Sequence, residues 1–293
     1  MKILVTGPSG FIAQPLMAYL SQQGHEVLGV SLRQDDWKLL IPNDIDVYIH
    51  LAALVHTYKG LDEFRRINTE LTASLFDHFK ESKAKDFVFM STVKAVVDES
   101  SVSINEATPC APTTPYGISK LEAEAYIQQE CPNDKRYFIL RPSLVYGAHV
   151  KGNLALLEKL VRYSIPYPLG NFENKRTLLS IDNINFCIYQ LIINANLKSD
   201  IFMIADDESL STTEIINIIS QAKQKKSRIW KINKSLIKGF VRLGDIFNLP
   251  LNDKTFNKLT EDYRIDNAKL KQVLQIEKMP ISSQKGLKHA FEI

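Results

Sequence analysis

The sequence predicts a doubly wound α/β fold, a parallel sheet covered by helices on both faces, with a smaller α/β region toward the C-terminus. Three observations carry that expectation. Short continuous apolar runs alternate with stretches of helical spacing through the first half of the chain, as buried parallel strands alternate with their covering helices. A glycine turn joins the first run to the first helix at the N-terminus. Polar and small residues gather at the ends of successive runs, the edge where such sheets bind ligands. The 293 residues can bury a substantial core, as one large domain or two packed ones.

The first run is Ile3-Leu4-Val5, ending in Thr6-Gly7-Pro8-Ser9-Gly10-Phe11-Ile12-Ala13. Leu16, Met17 and Leu20 continue at helical spacing up to Gly24. Strand, glycine turn and helix in that order form a dinucleotide-binding arrangement. Gly7 and Gly10 let the backbone approach a pyrophosphate, which the helix N-terminus stabilises through free N–H groups and its dipole. The spacing Gly-x-x-Gly-x-x-Ala departs from Gly-x-Gly-x-x-Gly, although a small third residue still allows close packing. An ordinary βα turn is the competing reading.

Glu26–Val30 is the second strand. A carboxylate at its end binds an adenosine 2′-hydroxyl, whereas an arginine accommodates a 2′-phosphate. Here Ser31-Leu32-Arg33 follows, with no carboxylate until Asp35. This prefers NADP over NAD, against the alternative that Arg33 is a solvated loop charge. Residues 34–45 leave little room for a full strand–helix unit. Asp46–Ile49 is the next strand, ending in His50-Leu51-Ala52-Ala53, where small residues leave space for a flat ligand and His50 reads as a packed core histidine. A helix is expected over 61–82, with Phe64, Ile67, Leu71, Leu75 and Phe79 as its apolar stripe and Asn68 within it. Phe87–Met90 reads as a central strand, ending at Ser91-Thr92-Val93-Lys94.

Pro115 then opens a helix. Tyr116 and Lys120, four apart, share one of its faces. A phenol titrates near pKa ~10, and a neighbouring ammonium stabilises the phenolate and lowers that value. Such a pair arises about once by chance in a chain of this composition. Its weight comes from the glycine turn, Ala52-Ala53, Ser91-Thr92 and Arg141-Pro142, which all fall at strand ends.

Composition excludes several classes. A net charge of +3 and the absence of a recognition motif argue against nucleic acid. Cys110, Cys131 and Cys187 are widely spaced, and the six histidines lack metal-ligand spacing, so no metal site is expected. The N-terminus is too short in apolar length for a signal peptide, and no window reaches a membrane span. The expectation is a cytoplasmic, enzyme-sized protein.

Taken together, Thr6-Gly7-x-x-Gly10-Phe11-Ile12, His50-Leu51-Ala52-Ala53, Ser91-Thr92, Tyr116-x-x-x-Lys120 and Leu140-Arg141-Pro142-x-x-Val145-Tyr146-Gly147 resemble the extended short-chain dehydrogenase/reductase family. The likeness is to its nucleotide-sugar epimerases, dehydratases and reductases, with a Rossmann-type domain. Ala13 replaces the usual glycine, and Ala148 stands where proline often follows Tyr-Gly. The resemblance implies Tyr116 as catalytic acid/base, and Lys120 as its pKa modulator and ribose ligand. It implies that Thr92 bonds the reacting oxygen and that Asn68 supports Lys120 through water. It implies cofactor contacts from Gly7, Gly10, Phe11, Ile12, Arg33, Leu51, Ala52, Ala53 and Pro142. Residues 1–148 with about 178–205 are expected to bind the dinucleotide, and 149–177 with about 206–293 the substrate. A homodimer through helices 61–82 and 116–130 is also implied.

Ser91–Lys94 and the stretch from Val150 to Gly170 look most like 4-keto-sugar reductases and 4-epimerases acting on N-acetylated UDP-hexoses or their lipid-linked forms, as in surface polysaccharide synthesis. That likeness adds Lys94, Asn153, Arg176 and Arg264 as substrate residues, with Arg176 on the diphosphate and Asn153 at the nucleotide end. Further elements are expected as a helix over 153–163, a strand over 176–183 leading into a helix to Asn194 with Asp182 as a candidate cap, a strand near 201–204, and helices near 212–221 and 234–243. Between Lys223 and Arg242 lie eight basic residues and no acidic ones, interleaved with apolar side chains. A solvated surface is the plainer reading and an anionic membrane contact the sharper one.

The function expected is hydride transfer at C4 of a UDP-linked hexose, with reduction of a 4-keto sugar preferred. A 4-epimerase with tightly held NAD is the alternative. A catalytically silent cofactor-binding scaffold is a third, disfavoured because Tyr116 and Lys120 are both present.

Overall fold

The computed structural model describes residues 1–55, 60–150, 152–237, 239, 241 and 253–292. The chain runs through β1 (Lys2–Thr6), α1 (Ala13–Gln22), β2 (Glu26–Val30) and β3 (Val47–His50). A helix follows in three parts: α2 (Leu61–Phe64), a π-helical turn at Arg65–Glu70, and α3 (Leu71–Glu81). Next come β4 (Asp86–Met90), α4 (Pro115–Glu130), β5 (Arg136–Pro142), β6 (Leu144–Tyr146) and α5 (Asn153–Arg162). Then β7 (Arg176–Ser180), α6 (Ile181–Ile193), β8 (Asp200–Ile204), β9 (Ser209–Leu210) and α7 (Thr212–Ala222) lead to α8 (Asp253–Thr260), α9 (Ala268–Leu274) and α10 (Ser283–Phe291).

Six parallel strands form the main sheet in the order β2-β1-β3-β4-β5-β8. Side chains alternate between its faces, as strand geometry requires. Ile3, Val5, Ile49, Val88 and Met90 pack on one side with α1 and α6. Leu4, Tyr48, Phe87 and Phe89 pack on the other with α3 and α4. Both faces are therefore dry, which explains why these strands read as unbroken apolar runs. From β1 the chain winds to β2 on one side and then to β3 on the other. The carboxyl ends of β1 and β3 consequently border a crevice. The abbreviated stretch before β3 is a single 3₁₀ turn, Trp37–Leu40, whose Trp37 covers the sheet edge.

A three-stranded sheet, β6-β7-β9, lies outside the main one. It shares a core with α5, α7 and α10, built on Tyr146, Leu157, Leu178, Ile215, Ile219 and Leu287. Asp206, just past β8, ties this part to the main sheet. Its carboxylate accepts from Ser180 N (3.0 Å), Asn183 Nδ2 (2.7 Å), Tyr146 Oη (2.8 Å) and Ser283 Oγ (3.0 Å).

Two sequence expectations change here. Ser180, not Asp182, caps α6: its hydroxyl accepts from Asn183 N, while exposed Asp182 sits in the first turn. The helix expected over 61–82 contains the π-helical turn at its middle, which periodicity over so long a stretch does not register. Of the helix expected over 234–243, residues 234–237, 239 and 241 are helical, and the rest lie outside the described residues. Among the described residues no helix is long and apolar enough to cross a membrane.

Removing this buried carboxylate takes a partner from four donors and leaves Ser180 N–H without an acceptor, while Asn183 keeps Ile281 O. Asp206→Ala is expected to lower Tm by roughly 5–10 °C and expose α10 to protease first. Calorimetry with limited proteolysis checks this, and an unchanged Tm refutes the tie.

Candidate active site

The crevice is shaped by a close approach of backbones. Gly7 has φ +69°, and a Cβ there would sit 3.1 Å from Ala52 Cα and 3.2 Å from Ala52 N. Glycine is thus required twice, by conformation and by contact. Gly10 N–H donates to Gly7 O at 2.9 Å, closing the turn. The residue preceding α1, Ile12, contributes no side-chain cap. Gln14 N–H donates to Gly10 O and Leu16 N–H to Ile12 O, and Pro15 carries no N–H, so what this end offers an anion is chiefly the positive end of the helix dipole. Phe11 packs toward the C-terminal core and Ile12 under the sheet.

Below the turn runs a chain of hydrogen bonds whose direction can be assigned. Thr6 Oγ1 accepts from Leu51 N and Ala52 N, both at 3.2 Å. Its lone pairs are then used, so its own proton goes to His50 Nδ1, 2.7 Å away. His50 Nε2–H donates to Thr72 Oγ1 at 2.8 Å, and Thr72 donates to the Asn68 carbonyl at 2.7 Å. His50 is therefore the neutral Nε2–H tautomer. Burial, and secondarily the Lys120 charge, hold its pKa well below the ordinary value. The packed core histidine of the sequence is also a connector.

On the other side of Phe89 lies the tyrosine helix. Thr114 caps α4, its hydroxyl accepting from Gly117 N at 3.2 Å and donating to Asp98 Oδ1 at 2.8 Å. Asp98 also accepts from Thr113 N and Oγ1, each at 2.8 Å. This clamp fixes the approach to Tyr116, whose ring meets Phe64 at 6.2 Å between centroids. Gly117 lies against the 3₁₀ turn Val93–Ala95 that follows Thr92; a Cβ on it would come within 2.3 Å of Lys94 O. Thr92, in extended conformation, accepts from Lys94 N and meets the Tyr116 phenol through its hydroxyl. Lys120 is 1% exposed, and its ammonium stands over the Phe89 ring at 3.9 Å from the centroid.

The electrostatics depart from expectation. Burial pushes the Tyr116 phenol up to about 12, only partly offset by the Thr92 hydrogen bond. Lys120 does not depress it, because burial lowers the ammonium itself to about 7, with Glu124 pulling it back upward. Desolvation outweighs the pairwise charge effect that spacing alone suggests. Glu124 is buried one turn beyond Lys120, in a bidentate pair with Arg141 (2.6 and 3.1 Å) and accepting from Ser91.

Asn68 is fully buried in the π-helical turn. Its side chain accepts from Leu54 N (2.7 Å) and donates to Leu54 O (3.0 Å) and Ser119 Oγ (3.1 Å). It holds the segment after β3 against α4, so its direct partners are Leu54 and Ser119, whereas the resemblance implied support of Lys120. Arg33 is exposed just past β2, Leu51 and Ala53 flank Ala52, and Pro142 ends β5. Lys94 is exposed, 3.7 Å from Asp98. Asn153 starts α5. Arg176 starts β7, donates to Glu261 O at 3.2 Å and lies near the Tyr167 and Tyr263 side chains. Arg264, on the same extended segment as Tyr263, donates to Ser101 O at 3.2 Å. Tyr263 Oη donates to Val97 O at 2.7 Å, linking that segment to the end of the Thr92 turn. Sequence reading missed Asp98, Ser119 and Glu124 as supports, and Thr6 and Thr72 as connectors. Only the Thr114 cap had a local signal, a hydroxyl just before the helix-opening proline.

Residues 3–205 match the NAD dependent epimerase/dehydratase family. The chain belongs to that family. It is an enzyme of the NAD-dependent epimerase/dehydratase type. A UDP-glucose 4-epimerase from Vibrio cholerae is 28% identical over 317 residues, spanning 99% of this chain and 94% of that protein. A UDP-2-acetamido-2,6-beta-L-arabino-hexul-4-ose reductase from Pseudomonas aeruginosa is 28% identical over 197 residues, 63% of this chain and 47% of its own. Among solved structures, UDP-N-acetylglucosamine 4-epimerase from Bacillus cereus superposes with a TM-score of 0.80 at 21% identity, over 99% of this chain and 98% of that one. The Gly7–Ala52 approach at the α1 N-terminus fits the family's dinucleotide, since a glycine there lets a pyrophosphate come close to the backbone and the positive end of the helix dipole.

Two substitutions test the site. Lys120 has an ordinary pKa of 10.5 and sits near 7 in the fold, so the unfolded chain holds its proton more tightly. The side chain therefore costs most stability below pH 7, and the cost falls as pH rises toward 10.5. Lys120→Met is expected to raise Tm relative to the native chain at about pH 6 and to lose that advantage by about pH 10; a pH-independent difference contradicts the buried ammonium. Gly117→Ala forces the α4 start away from the Lys94 turn, and turnover is expected to fall by about 10²-fold with unchanged circular dichroism.

Proposed function

We propose that the protein carries out NAD(P)-linked hydride transfer at C4 of a UDP-linked hexose. The observation that carries this reading is the Tyr116 phenol, held against the Thr92 hydroxyl one helical turn from Lys120, next to a crevice suited to a dinucleotide. Bound NAD(P) supplies the hydride acceptor or donor. Tyr116 handles the matching proton: the phenol gives it to a C4 ketone oxygen, or the phenolate takes it from a C4 hydroxyl. Thr92 bonds the same oxygen and fixes its position. Lys120, its charge weakened by burial, holds the ribose rather than setting the phenol's proton affinity. Arg176 engages the diphosphate, with Lys94, Asn153 and Arg264 completing the substrate side, so that remote binding energy orients the ring. The division at 1–148 with about 178–205 against the remainder, the homodimer through the α2–α3 and α4 helices, and a cytoplasmic location belong to the same proposal.

Two directions of use each have a supporting observation. A phenol near 12 rests as a proton donor, and Arg33 without a neighbouring carboxylate suits a 2′-phosphate, which supports NADPH-dependent reduction of a 4-keto sugar. The full-length likeness to a UDP-glucose 4-epimerase supports reversible epimerisation with retained NAD. Purified protein is assayed with UDP-hexose C4 epimers without added cofactor, and with UDP-4-keto sugars plus NADPH. Interconversion in the first arm selects the epimerase, NADPH consumption in the second the reductase, and inactivity in both sinks the proposal. Tyr116→Phe is expected to cost roughly 10²–10⁴-fold in either arm while cofactor still binds.

A further inference from the structure

Of the basic stretch noted in the sequence, residues 223–237 are described, and 228–231 run beside 167–170. Its residues run antiparallel and parallel to 167–170 through short bridges: Tyr167 N–H donates to Arg228 O and Trp230 N–H to Tyr167 O, both at 2.8 Å. Ile229 and Ile232 turn inward to the core shared with α5 and α7. Arg228 and Trp230 turn outward. Beside them, Ile165 lines a small hollow with Lys226 and Arg228, and Arg162 lies over the Tyr163 ring at 5.9 Å. Tyr163, Ile165 and Trp230 are 66%, 49% and 56% exposed, a large apolar surface for side chains whose neighbours are cations. Glu158, the acidic residue on the adjoining helix, is matched by Lys223 at 3.1 Å.

We propose that this surface docks on an anionic lipid bilayer. Aromatic rings with one polar edge partition to the headgroup level, and arginine and lysine stems lie along apolar surface while their charged ends reach phosphate. The charge is of one sign and the apolar groups are interleaved with it, which is the complement of an acidic interface rather than of a dry protein groove. The chain has two tryptophans, and Trp37 is buried at 4% exposure. A spectral change on docking thus reports Trp230.

The full-length protein is mixed with vesicles of phosphatidylcholine alone or with added phosphatidylglycerol. Co-sedimentation and a blue shift of tryptophan emission are expected only with the anionic vesicles at about 20 mM salt, and release at about 0.5 M. Lys226→Glu/Arg228→Glu is expected to weaken partitioning by roughly tenfold or more, and Trp230→Phe to abolish the blue shift. Hydride-transfer activity on a soluble substrate stays unchanged in both variants. Lys83→Glu/Lys198→Glu, which changes net charge equally at the amino ends of β4 and β8, is expected to leave partitioning intact. The proposal is overturned if the protein stays in the supernatant with anionic vesicles at low salt. Equal loss in both double variants also overturns it, because net charge alone then accounts for binding.

Discussion

The site depends on how closely the end of β1 can lie against the segment that follows β3. Thr6 makes that approach stable by accepting two amide protons from Leu51 and Ala52 and passing its own to His50. Gly7 makes it possible by having no Cβ to strike Ala52. From there the chain of donors continues through His50 and Thr72 to the carbonyl of Asn68. Every member is buried and satisfied, and each can point only one way, so the network specifies a single arrangement of the crevice floor. A protonated His50 would need Thr6 to accept a third hydrogen bond, for which it has no lone pair. Neutrality of that histidine is thus a consequence of packing.

The same economy of partners governs the tyrosine helix. Asp98 receives Thr113 and Thr114, Thr114 receives Gly117, and Asn68 joins Ser119 to the loop after β3. The π-helical turn at Arg65–Glu70 matters here, because the altered winding places Asn68 inward between the two segments it bridges, at Leu54 and Ser119. Behind the helix, Glu124 and Arg141 form a pair that neither could sustain alone, with Ser91 as a further donor. Lys120 is left with an aromatic face and a neighbouring carboxylate whose charge is already committed. Its low proton affinity follows from that setting, and the resting phenol beside it stays protonated.

Much of this was legible in advance. The parallel sheet, the glycine turn, the strand ends and the Tyr116–Lys120 face all follow from local pattern, since a strand buried on both faces must be apolar throughout and a helix repeats every three to four residues. The shortened stretch before β3 was visible from its length. Illegible were the cap of α6, where Ser180 and Asp182 are both good capping types and only backbone geometry chooses between them, and the interruption of the helix at Asn68. The supporting carboxylates, Asp98 and Glu124, carry no local signal because the side chains and amides that hydrogen-bond to them lie 15 to 17 residues away or more.

By itself, then, the chain's order of residues determined the sheet, the turns at the carboxyl ends of its strands and the family, because periodicity and turn chemistry are local properties. The proton affinities of Tyr116 and Lys120, the tautomer of His50 and the hold of Asp206 on the C-terminal helix were decided only by the tertiary structure. Each depends on which groups are removed from water together, and burial is a property of the assembled fold.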